Sequence, residues 1–445
     1  MLMKKITAAC WRLRLFAIVM IAAGSTAGMC GASVPVTLEA GAAQADITPD
    51  PGMLNWITLR PYGEVRDPIF VRALVWSDGT TKLALIVWDL LDAREYAVAR
   101  VRRAVAKATD LPESHIIVQG THNHSGPKSE MGPEPVLPKE QTKSRPAQQD
   151  PRYREWADKL VDTCVEVVTK ADAARQPVTL HLGRAYVGEV LFNRRPIKPD
   201  GTVQSMLLPE NPYALPKGLR FGVVDPTLTV LSFRTAGGTS IATLFHLPAH
   251  AVAVYGAFQG VSADWPGQAV AGVRRNLGGE PFFLQGCAGD IVPARRGFEA
   301  AAAMGQLVAE RVVAANKRAV ALNPAKLRTS SAQLALPTTD EAAVTMKRAT
   351  LDAEVQVVTC GPLALVTLPG EPLLELGTAI QARSPFPHTI VLGYANGRGV
   401  GYVGLPGGKA KGGYEMTDVG AGADEAGLLL VDAAVRLLQE HWAGN

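Results

Sequence analysis

The segment HIIVQGTHNHSGP, residues 115–127, places two histidines directly after a run of apolar residues. His122 and His124 are two positions apart, so in extended backbone their imidazoles would share one face. A lone histidine at a strand end is more often a hydrogen-bonded structural residue. A pair with this spacing can instead offer ring nitrogens to a metal. The segment therefore predicts a metal-binding or catalytic site.

Other polar residues occupy the same kind of position, just beyond an apolar strand. His250 ends SIATLFHLPAH, Glu371 follows LALVTLPG, and Tyr402 follows the glycine-rich ANGRGVG. Glu371 could simply cap a helix beginning near Pro372, and Tyr402 could be a packing residue. However, ligand sites in α/β proteins form at the carboxyl ends of strands, where chain-distant residues meet. Two imidazoles, a carboxylate and a phenol oxygen would suit zinc with one position open to water.

The remaining histidines have a simpler explanation. His246 lies inside an apolar strand, and four others lack any comparable pattern. We expect these side chains to form structural hydrogen bonds. The four are His115, His181, His388 and His441.

The N-terminus has the organisation of a secretory signal. Four basic residues precede the apolar run LFAIVMIAAG, which is followed by the small-residue stretch STAGMCGAS. The apolar run is too short to span a bilayer comfortably. We predict that residues 1–33 are a signal peptide and that the protein is secreted or periplasmic.

Charge and cysteine content restrict the function further. Four of the 45 Lys and Arg residues lie in residues 1–33, which leaves 41 to balance 41 acidic residues. This balance gives no indication of nucleic-acid binding. Cys164, Cys287 and Cys360 are too widely spaced to predict a disulfide framework or a thiolate zinc site. Any metal must therefore be held by nitrogen and oxygen ligands.

Strand and helix patterns alternate along the 445 residues, 47% of which are hydrophobic. Residues 83–90 read as a buried strand before a helix over 92–108, and a later helix is predicted over 153–173. EVQVVTCG and LALVTLPGE predict a hairpin whose second arm is central, and a last helix spans 424–439. The fold class predicted is α/β, with α+β as the alternative: a large mixed sheet flanked by helices, with the zinc site at strand C-terminal ends. Residues 128–152 predict a long exposed loop, either covering a cleft or merely solvated.

The order of several motifs resembles the catalytic domain of the neutral/alkaline (non-lysosomal) ceramidases, from about residue 40 to the C-terminus. The interval from His250 to Asp264, 14 residues, also fits that family. The matching segments are, in order, AGAAQADITP, IIVQGTHNHSGP, FNRRP, DPTLTVLSF, FHLPAH, SADWPG, LQGCAGDIVP, VTLPGEP and GYVG.

The resemblance implies a secreted zinc-dependent (Zn2+) hydrolase in which zinc-activated water attacks an N-acyl amide carbonyl. His124 would transfer protons beside the metal, and Arg194 of NRRP would hydrogen-bond the substrate carbonyl or the oxyanion. Asp264 and Asp290 are candidates for orienting a ligand imidazole or a nearby loop, although a carboxylate that ties down a turn is the simpler role. The zinc ligands implied are His122, His250, Glu371 and Tyr402.

Two departures from the family bear on function. The family loop Gly-Asp-Val-Ser-Pro-Asn becomes GDIVPA, so Val292 replaces a serine held to be important for activity and Ala294 replaces the asparagine. The family also continues into a C-terminal β-sandwich domain. Because this chain ends soon after the last predicted helix, we expect residues 34–445 to form one catalytic domain without that sandwich.

Three functions therefore stand open. The first is the ceramidase-like amidase, acting on a small-molecule or lipid N-acyl substrate with peripheral membrane contact as an open alternative. The second keeps the zinc but cleaves another ester or amide, such as a sugar or cell-wall amide, which Val292 and the 128–152 segment favour. The third is a catalytically silent ligand-binding homologue. A complete metal shell argues against the third, because a silent site has no need of one.

Overall fold

The structure is a computed structural model that describes residues 37–132, 145–324 and 326–444. The predicted signal peptide, residues 1–33, lies outside the described residues. The strands are β1 (Leu38–Asp46), β2 (Phe70–Ser77), β3 (Lys82–Trp88), β4 (Ile116–Gly120), β5 (Gln176–Tyr186), β6 (Leu191–Asn193), β7 (Thr227–Arg234), β8 (Ser240–Leu247), β9 (Glu280–Gln285), β10 (Ile291–Pro293), β11 (Val320–Ala321), β12 (Arg328–Pro337), β13 (Thr350–Cys360), β14 (Leu363–Thr367), β15 (Glu371–Pro372), β16 (His388–Leu392) and β17 (Tyr402–Val403).

The helices follow the predicted ones closely, with ends shifted by a few residues. The predicted helix over 92–108 begins at Glu95, and the one over 153–173 begins at Pro151, where the Asp150 side chain accepts a hydrogen bond from the first turn. The helices are α1 (Glu95–Ala108), α2 (Arg145–Gln149), α3 (Pro151–Ala173), α4 (Asp264–Leu277), α5 (Phe298–Lys317), α6 (Asp340–Met346), α7 (Leu374–Arg383), α8 (Gly408–Lys411) and α9 (Ala426–Ala443).

The larger of the two main sheets has nine strands in the order β4-β3-β2-β1-β5-β7-β8-β9, with β11 beside β5. The pairs β3/β4 and β8/β9 run parallel, whereas the other neighbours run antiparallel. Helices pack against it, so the predicted fold class, a large mixed sheet flanked by helices, is confirmed.

A second sheet, with the order β12-β13-β14-β16, packs face to face on the first. Alternation along β14 explains the layering, because Leu363 and Leu365 point into the core between the sheets while Ala364 and Val366 point outward. The outer face of this sheet is covered by α7 and α9. The predicted hairpin is β13/β14, and its second arm is an interior strand, as expected.

The outer face of the nine-stranded sheet is covered by two separate helix pairs. Helices α1 and α3 lie over β1–β4, and α4 and α5 lie over β7–β9. Apolar residues of α1 recur at Ala97, Val101 and Val105, which puts them on one buried stripe. The chain from Val36 onward therefore forms one compact unit with helices outside two packed sheets.

Two buried glutamines join the strand ends on which the candidate site is built. Gln285, at the end of β9, donates to the carbonyls of Thr121 and Ala249 and accepts from the amide of Ala249. Gln119 donates to the carbonyls of Gln285 and Gly393. These bonds fix the loops after β4, β8 and β16 relative to one another.

The prediction of an exposed loop over 128–152 is wrong for its described ends. Ser129 and Glu130 are buried, and the Tyr153 hydroxyl donates to the carbonyl of Glu130. Residues 145–149 form α2 rather than a loop. Tyr153 of α3 and Asp92, in the loop after β3, hold residues 128–130 in the core. Residues 133–144 lie outside the described part.

Within the described residues, no helix combines the length and apolar character needed to cross a membrane.

Candidate metal centre

His122 enters the site through a sharp turn after β4. Its backbone has φ 61°, so the extended geometry expected from the sequence is wrong at this residue. The neighbouring Asn123 side chain donates to the carbonyls of Asp89 and Ser262 and fixes this turn. The His122 Nδ1–H donates to the carbonyl of Leu91 at 2.8 Å. A carbonyl can only accept, so Nδ1 carries a proton, and in the neutral ring Nε2 presents a lone pair.

His250 is held in the same way after β8. Its Nδ1–H points at the carbonyl oxygens of Ala288, at 2.6 Å, and Ile291, at 3.1 Å. Its own carbonyl accepts a hydrogen bond from the Trp265 indole. The Nε2 atom of His250 is therefore also left as a lone pair, and the side chain is completely buried.

Glu371 and Tyr402 are brought together by a two-residue parallel ladder. β15 pairs with β17 so that Glu371 lies directly opposite Tyr402. Gly370 precedes Glu371 with φ 73°, and a Cβ atom there would lie 2.4 Å from the carbonyl oxygen of Gly401. Only glycine allows this close approach, so the ladder requires the glycine of the LPGEP segment.

The four predicted ligands converge at one point. The Glu371 Oε2 atom lies 3.1 Å from His122 Nε2 and 3.5 Å from His250 Nε2. The Tyr402 hydroxyl lies 3.5 Å from His250 Nε2. Strand ends that are distant in the chain therefore deliver two imidazoles, a carboxylate and a phenol to one place, as predicted.

His124 belongs to the same cluster. Its Nε2 lies 3.1 Å from His122 Nε2, and ligand atoms of His122, His124 and His250 all lie within 4.8 Å of one another. Its Nδ1 is buried, and no described residue offers it a hydrogen bond. Geometry thus brings His124 within reach of a metal, while its assignment as a proton carrier rather than a ligand stays a prediction.

The donor set fits a cation. Lone pairs of two imidazoles face a carboxylate oxygen, Oε2, for which the described residues provide no hydrogen-bond donor. Buried acceptors that face one another without a proton between them are strongly unfavourable. A metal ion removes this conflict, and imidazole and carboxylate are ligands that zinc accepts.

Burial sets the charge states of the cluster. Burial, together with the Arg194 charge, lowers the pKa of His250 to about 3. Burial and the neighbouring imidazoles also lower the pKa of His124 well below its ordinary value. Burial acts to raise the pKa of Glu371, but its interactions with His122 and His250 outweigh this and hold the pKa well below its ordinary value. At neutral pH His250 and His124 are neutral and Glu371 is ionised, which is the state that binds metal.

Arg194 lies behind the cluster. Its Nη2 donates to the Tyr402 hydroxyl oxygen at 3.0 Å and to the Gly289 carbonyl at 2.7 Å. Its Nε donates to Glu415, which is fully buried and also pairs with Arg195. The predicted contact of Arg194 with substrate stays a prediction, whereas its contact with Tyr402 is direct.

Asp264 and Asp290 hold backbone rather than imidazoles. Asp264 accepts from the amides of Ala253 and Val254, in the loop after His250, and from the amide of Trp265 at the start of α4. Asp290 accepts from the amide of Leu374 and from the Asn193 side chain. The prediction that either carboxylate orients a ligand imidazole is wrong, because backbone carbonyls accept the hydrogen bonds from the imidazole Nδ1–H groups. The simpler structural role, holding the backbone of a turn or loop, is the observed one.

Val292 faces away from the centre. It is fully buried in a small apolar cluster with Phe192, Val252 and Ala294. On the same short strand, the carbonyl of Ile291 faces the His250 ring. The valine that replaces the family serine therefore packs in an apolar cluster beside the site.

Several supporting residues were not identified from sequence patterns. The ring of Tyr394 lies 4.1 Å from that of His122, and its buried hydroxyl has no hydrogen-bond partner among the described residues. Tyr394 does follow the apolar strand β16, which is the signal that identified Glu371. Glu415 lies in a π-helical turn, Tyr414–Val419, for which no sequence pattern was available. Such turns often occur at functional sites.

Backbone strain concentrates here. Six non-glycine residues among those described have positive φ. His122, Asp264, Tyr394 and Asn396 are four of them, and all lie in or beside the centre. Strained residues of this kind persist only where surrounding structure enforces them, often at functional sites.

The centre opens into a cleft of about 330 Å³. Its wall includes His122, His124, Glu371 and Tyr402 at the base. The other lining residues are mainly aromatic, polar or charged: Trp56, Lys128, Tyr255, Thr339, Glu341, Arg398, Tyr414, Thr417 and Asp418, with Ile57, Leu91, Ala342, Val419 and Ala421 as the larger apolar contributors.

The other expectations for histidine and cysteine agree with the structure. His246 hydrogen-bonds the carbonyl of Val391 inside the core, away from the cluster. Cys164, Cys287 and Cys360 are buried and free.

No protein-family model matches the sequence, and no curated protein matches it either. Among solved structures, neutral ceramidase from Pseudomonas aeruginosa superposes with a TM-score of 0.68 at 17% sequence identity, covering 92% of this chain and 75% of that chain. A ceramidase complexed with C2 gives a TM-score of 0.67 at 18% identity, covering 91% of this chain and 76% of that chain. The chain therefore has the neutral ceramidase fold, and the resemblance seen in its motifs is confirmed at the level of the fold.

Proposed function

We propose that the protein is an exported, zinc-dependent hydrolase that cleaves an N-acyl amide bond. The shared fold with neutral ceramidase supports this proposal. The observation that carries it is the set of lone pairs of His122 and His250 directed at the ionised Glu371, at the base of a cleft. An arrangement that needs a cation and opens to substrate is the arrangement of a metallohydrolase.

His122, His250, Glu371 and Tyr402 are the proposed ligands. A zinc ion held by them would polarise a carbonyl oxygen and lower the pKa of water towards neutrality. The chain itself supplies the orientation, since both histidines are fixed through Nδ1 by backbone carbonyls. Such contacts set the ring angle and the tautomer.

His124 is the proposed proton carrier. Its ring forms one side of the cleft base, and its buried Nδ1 has no protein hydrogen-bond partner among the described residues. An imidazole in this position can take a proton from the nucleophile and return it to the leaving nitrogen.

Arg194 is proposed to support the reaction through Tyr402. Its guanidinium donates to the phenol oxygen and is itself fixed by Glu415. A permanent positive charge at this distance stabilises negative charge that develops nearby. Arg194 thus acts first as a positioning residue for Tyr402. Its positive charge would also stabilise the oxyanion.

A second candidate keeps the same centre and changes the substrate to an ester or to the amide of a sugar or cell-wall compound. The charged side chains Lys128, Glu341, Arg398 and Asp418 in the cleft wall favour this reading. The silent ligand-binding alternative loses its support, because Val292 lies outside the cleft wall.

The test is hydrolysis by zinc-loaded protein of matched amide and ester substrates, with Glu371→Gln as the paired control. We expect the wild-type protein to cleave the amide and the Glu371→Gln variant to show no cleavage. Ester cleavage alone would replace the first candidate by the second. Tight binding of the same compounds without turnover would establish the silent alternative and contradict both hydrolase proposals.

A further inference from the structure

The position of His124 divides the cleft into two sides. In the proposed function this residue gives its proton to the leaving nitrogen, so the amine portion of the substrate lies on the side of the cleft where His124 stands. The acyl portion then points away from His124, and we assign it to the part of the wall that contains Tyr402 and Tyr414, whose rings lie 6.0 Å apart. The chemistry of each wall therefore indicates the chemistry of each half of the substrate.

The amine side is aromatic and cationic. The His124 ring lies 5.0 Å from the Tyr255 ring and 6.3 Å from the Trp56 ring. The Lys128 ammonium lies 4.2 Å from the centre of the Trp56 ring and is also attracted to Asp92. A cation fixed on an aromatic face, at 5% exposure for the whole residue, is a rigid polar surface.

The acyl side is short and mostly polar. Beyond Tyr402 the wall continues through Tyr414 and Thr417 to the exposed acidic rim formed by Asp418 and Glu341. A cleft of about 330 Å³ is near the lower limit for small-molecule sites. Burial of the methylenes of an acyl chain is favourable only where an apolar wall receives them. The few aliphatic side chains here offer little such wall.

We propose that the site takes a short-chain N-acyl derivative of a polar amine, one that carries hydroxyl or carboxylate groups, with the amine portion held against Trp56 and Lys128. This inference rests on the proposed hydrolase function and narrows its substrate class. A wall built from a fixed cation and hydroxyl-bearing side chains can donate further hydrogen bonds to polar groups of a substrate, which an alkylamine portion cannot accept.

The first experiment varies the two halves of the substrate separately, using zinc-loaded protein. The acyl series is acetyl, butyryl, octanoyl and dodecanoyl on one amino sugar, and the amine series is the acetyl derivative of an amino sugar, an amino acid and an alkylamine. We expect kcat/KM to fall at least 10-fold from butyryl to dodecanoyl, and at least 10-fold from the better polar amine to the alkylamine. The amino sugar and amino acid arms show which polar group is preferred.

The outcomes separate this inference from the function on which it rests. Higher kcat/KM for dodecanoyl than for acetyl, or for N-dodecanoyl-sphingosine than for every polar substrate, would overturn the inference and leave the hydrolase intact. No hydrolysis of any member by protein that retains zinc would overturn both.

The second experiment removes the cation and keeps the stem. Lys128→Met retains packing on Trp56 but loses the charge, so KM for the preferred polar substrate should rise about 10- to 100-fold while kcat changes less than about 3-fold. Lys159→Met, an exposed substitution on α3, is the matched control and should change neither.

A purely structural role for Lys128 predicts a different result. It would lower the melting temperature and reduce kcat on polar and alkylamine substrates alike, and that outcome would contradict the assignment. Trp56→Phe provides an independent variant with a smaller aromatic face, and it should weaken product binding without loss of bound zinc.

Discussion

Two regions of the molecule bury histidine in opposite ways. At the seam between α9 and the four-stranded sheet, His441 lies between two hydroxyls, with Nε2 2.8 Å from Ser330 Oγ and Nδ1 2.9 Å from Thr359 Oγ1. A hydroxyl can donate or accept, so either tautomer is satisfied. At the cleft base, the Nδ1–H groups of His122 and His250 donate to backbone carbonyls, and their Nε2 atoms face a carboxylate oxygen for which the described residues provide no donor.

The hydrogen-bond partners of the ring nitrogens are therefore enough to distinguish a structural histidine from a metal ligand. The seam is complete as built, because each ring nitrogen has a partner that can adapt to it. The cleft base is incomplete without a cation, because the Oε2 atom of Glu371 faces two imidazole nitrogens and has no hydrogen-bond donor among the described residues. Burial does not distinguish the regions, since both sets of rings are buried.

The largest expected effect comes from disturbing both regions in parallel. Glu371→Gln removes the ionised ligand, so zinc affinity should fall more than about 100-fold and activity should be lost. His441→Gln should keep one zinc per chain and lose only stability, by about 1–3 kcal/mol, because a buried hydroxyl loses its partner. Metal content after dialysis and chemical unfolding measure the two effects. Equal zinc retention by both variants would remove the distinction between the regions.

The next effect concerns which imidazoles are ligands. His124→Asn should retain zinc and lower kcat by about 100- to 10,000-fold, because it removes proton transfer and leaves the proposed shell intact. Metal analysis and steady-state kinetics of the same preparation show whether His124 is a ligand or a proton carrier. Loss of zinc would make His124 a ligand, and full activity would show that it carries no proton.

Asp290 gives a pH-dependent prediction for the support beneath the cleft. Burial raises its pKa from 3.8 to about 6. The folded state therefore holds this proton more tightly than the unfolded chain, and the stability gained is present below pH 3.8 and lost as pH rises through about 6. Relative to Asp290→Asn, the free energy of unfolding of the wild type should fall by up to about 3 kcal/mol between pH 4 and pH 7. Urea unfolding in chelator measures this difference, and a pH-independent value would contradict the assignment.

The smallest effect is expected at Val292. Val292→Ser restores the residue type of the family but places a hydroxyl in the dry cluster with Phe192 and Val252. Stability should fall by about 1–2 kcal/mol, while kcat/KM changes less than about 3-fold because the side chain lies outside the cleft wall. A gain in activity of 10-fold or more would show that this position takes part in the reaction.

Much of the site could be predicted because its residues follow apolar strands. The ends of β4, β8 and β14 identified His122, His250 and Glu371, and the strand patterns also predicted the mixed sheet. These signals are local, since period-2 burial and glycine-dependent turns depend on neighbouring residues.

The remainder depended on long-range contacts. Glu415 reaches Arg194 across more than two hundred residues, and Gln285 joins loops that the chain order does not connect. The burial of Ser129 and Glu130 depends on α3 and on the loop after β3, so composition alone indicated an exposed loop. The left-handed turn at His122 was hidden for the same reason, because tertiary hydrogen bonds enforce it.

The most direct measurement of the central claim is X-ray absorption spectroscopy at the zinc edge, on purified protein whose zinc has been counted. The cluster of His122, His250, Glu371 and Tyr402 predicts about one zinc per chain, with nitrogen and oxygen ligands at about 2.0–2.2 Å and no sulfur. Protein that binds no zinc after incubation with the metal, or a spectrum that requires sulfur ligands, would contradict it.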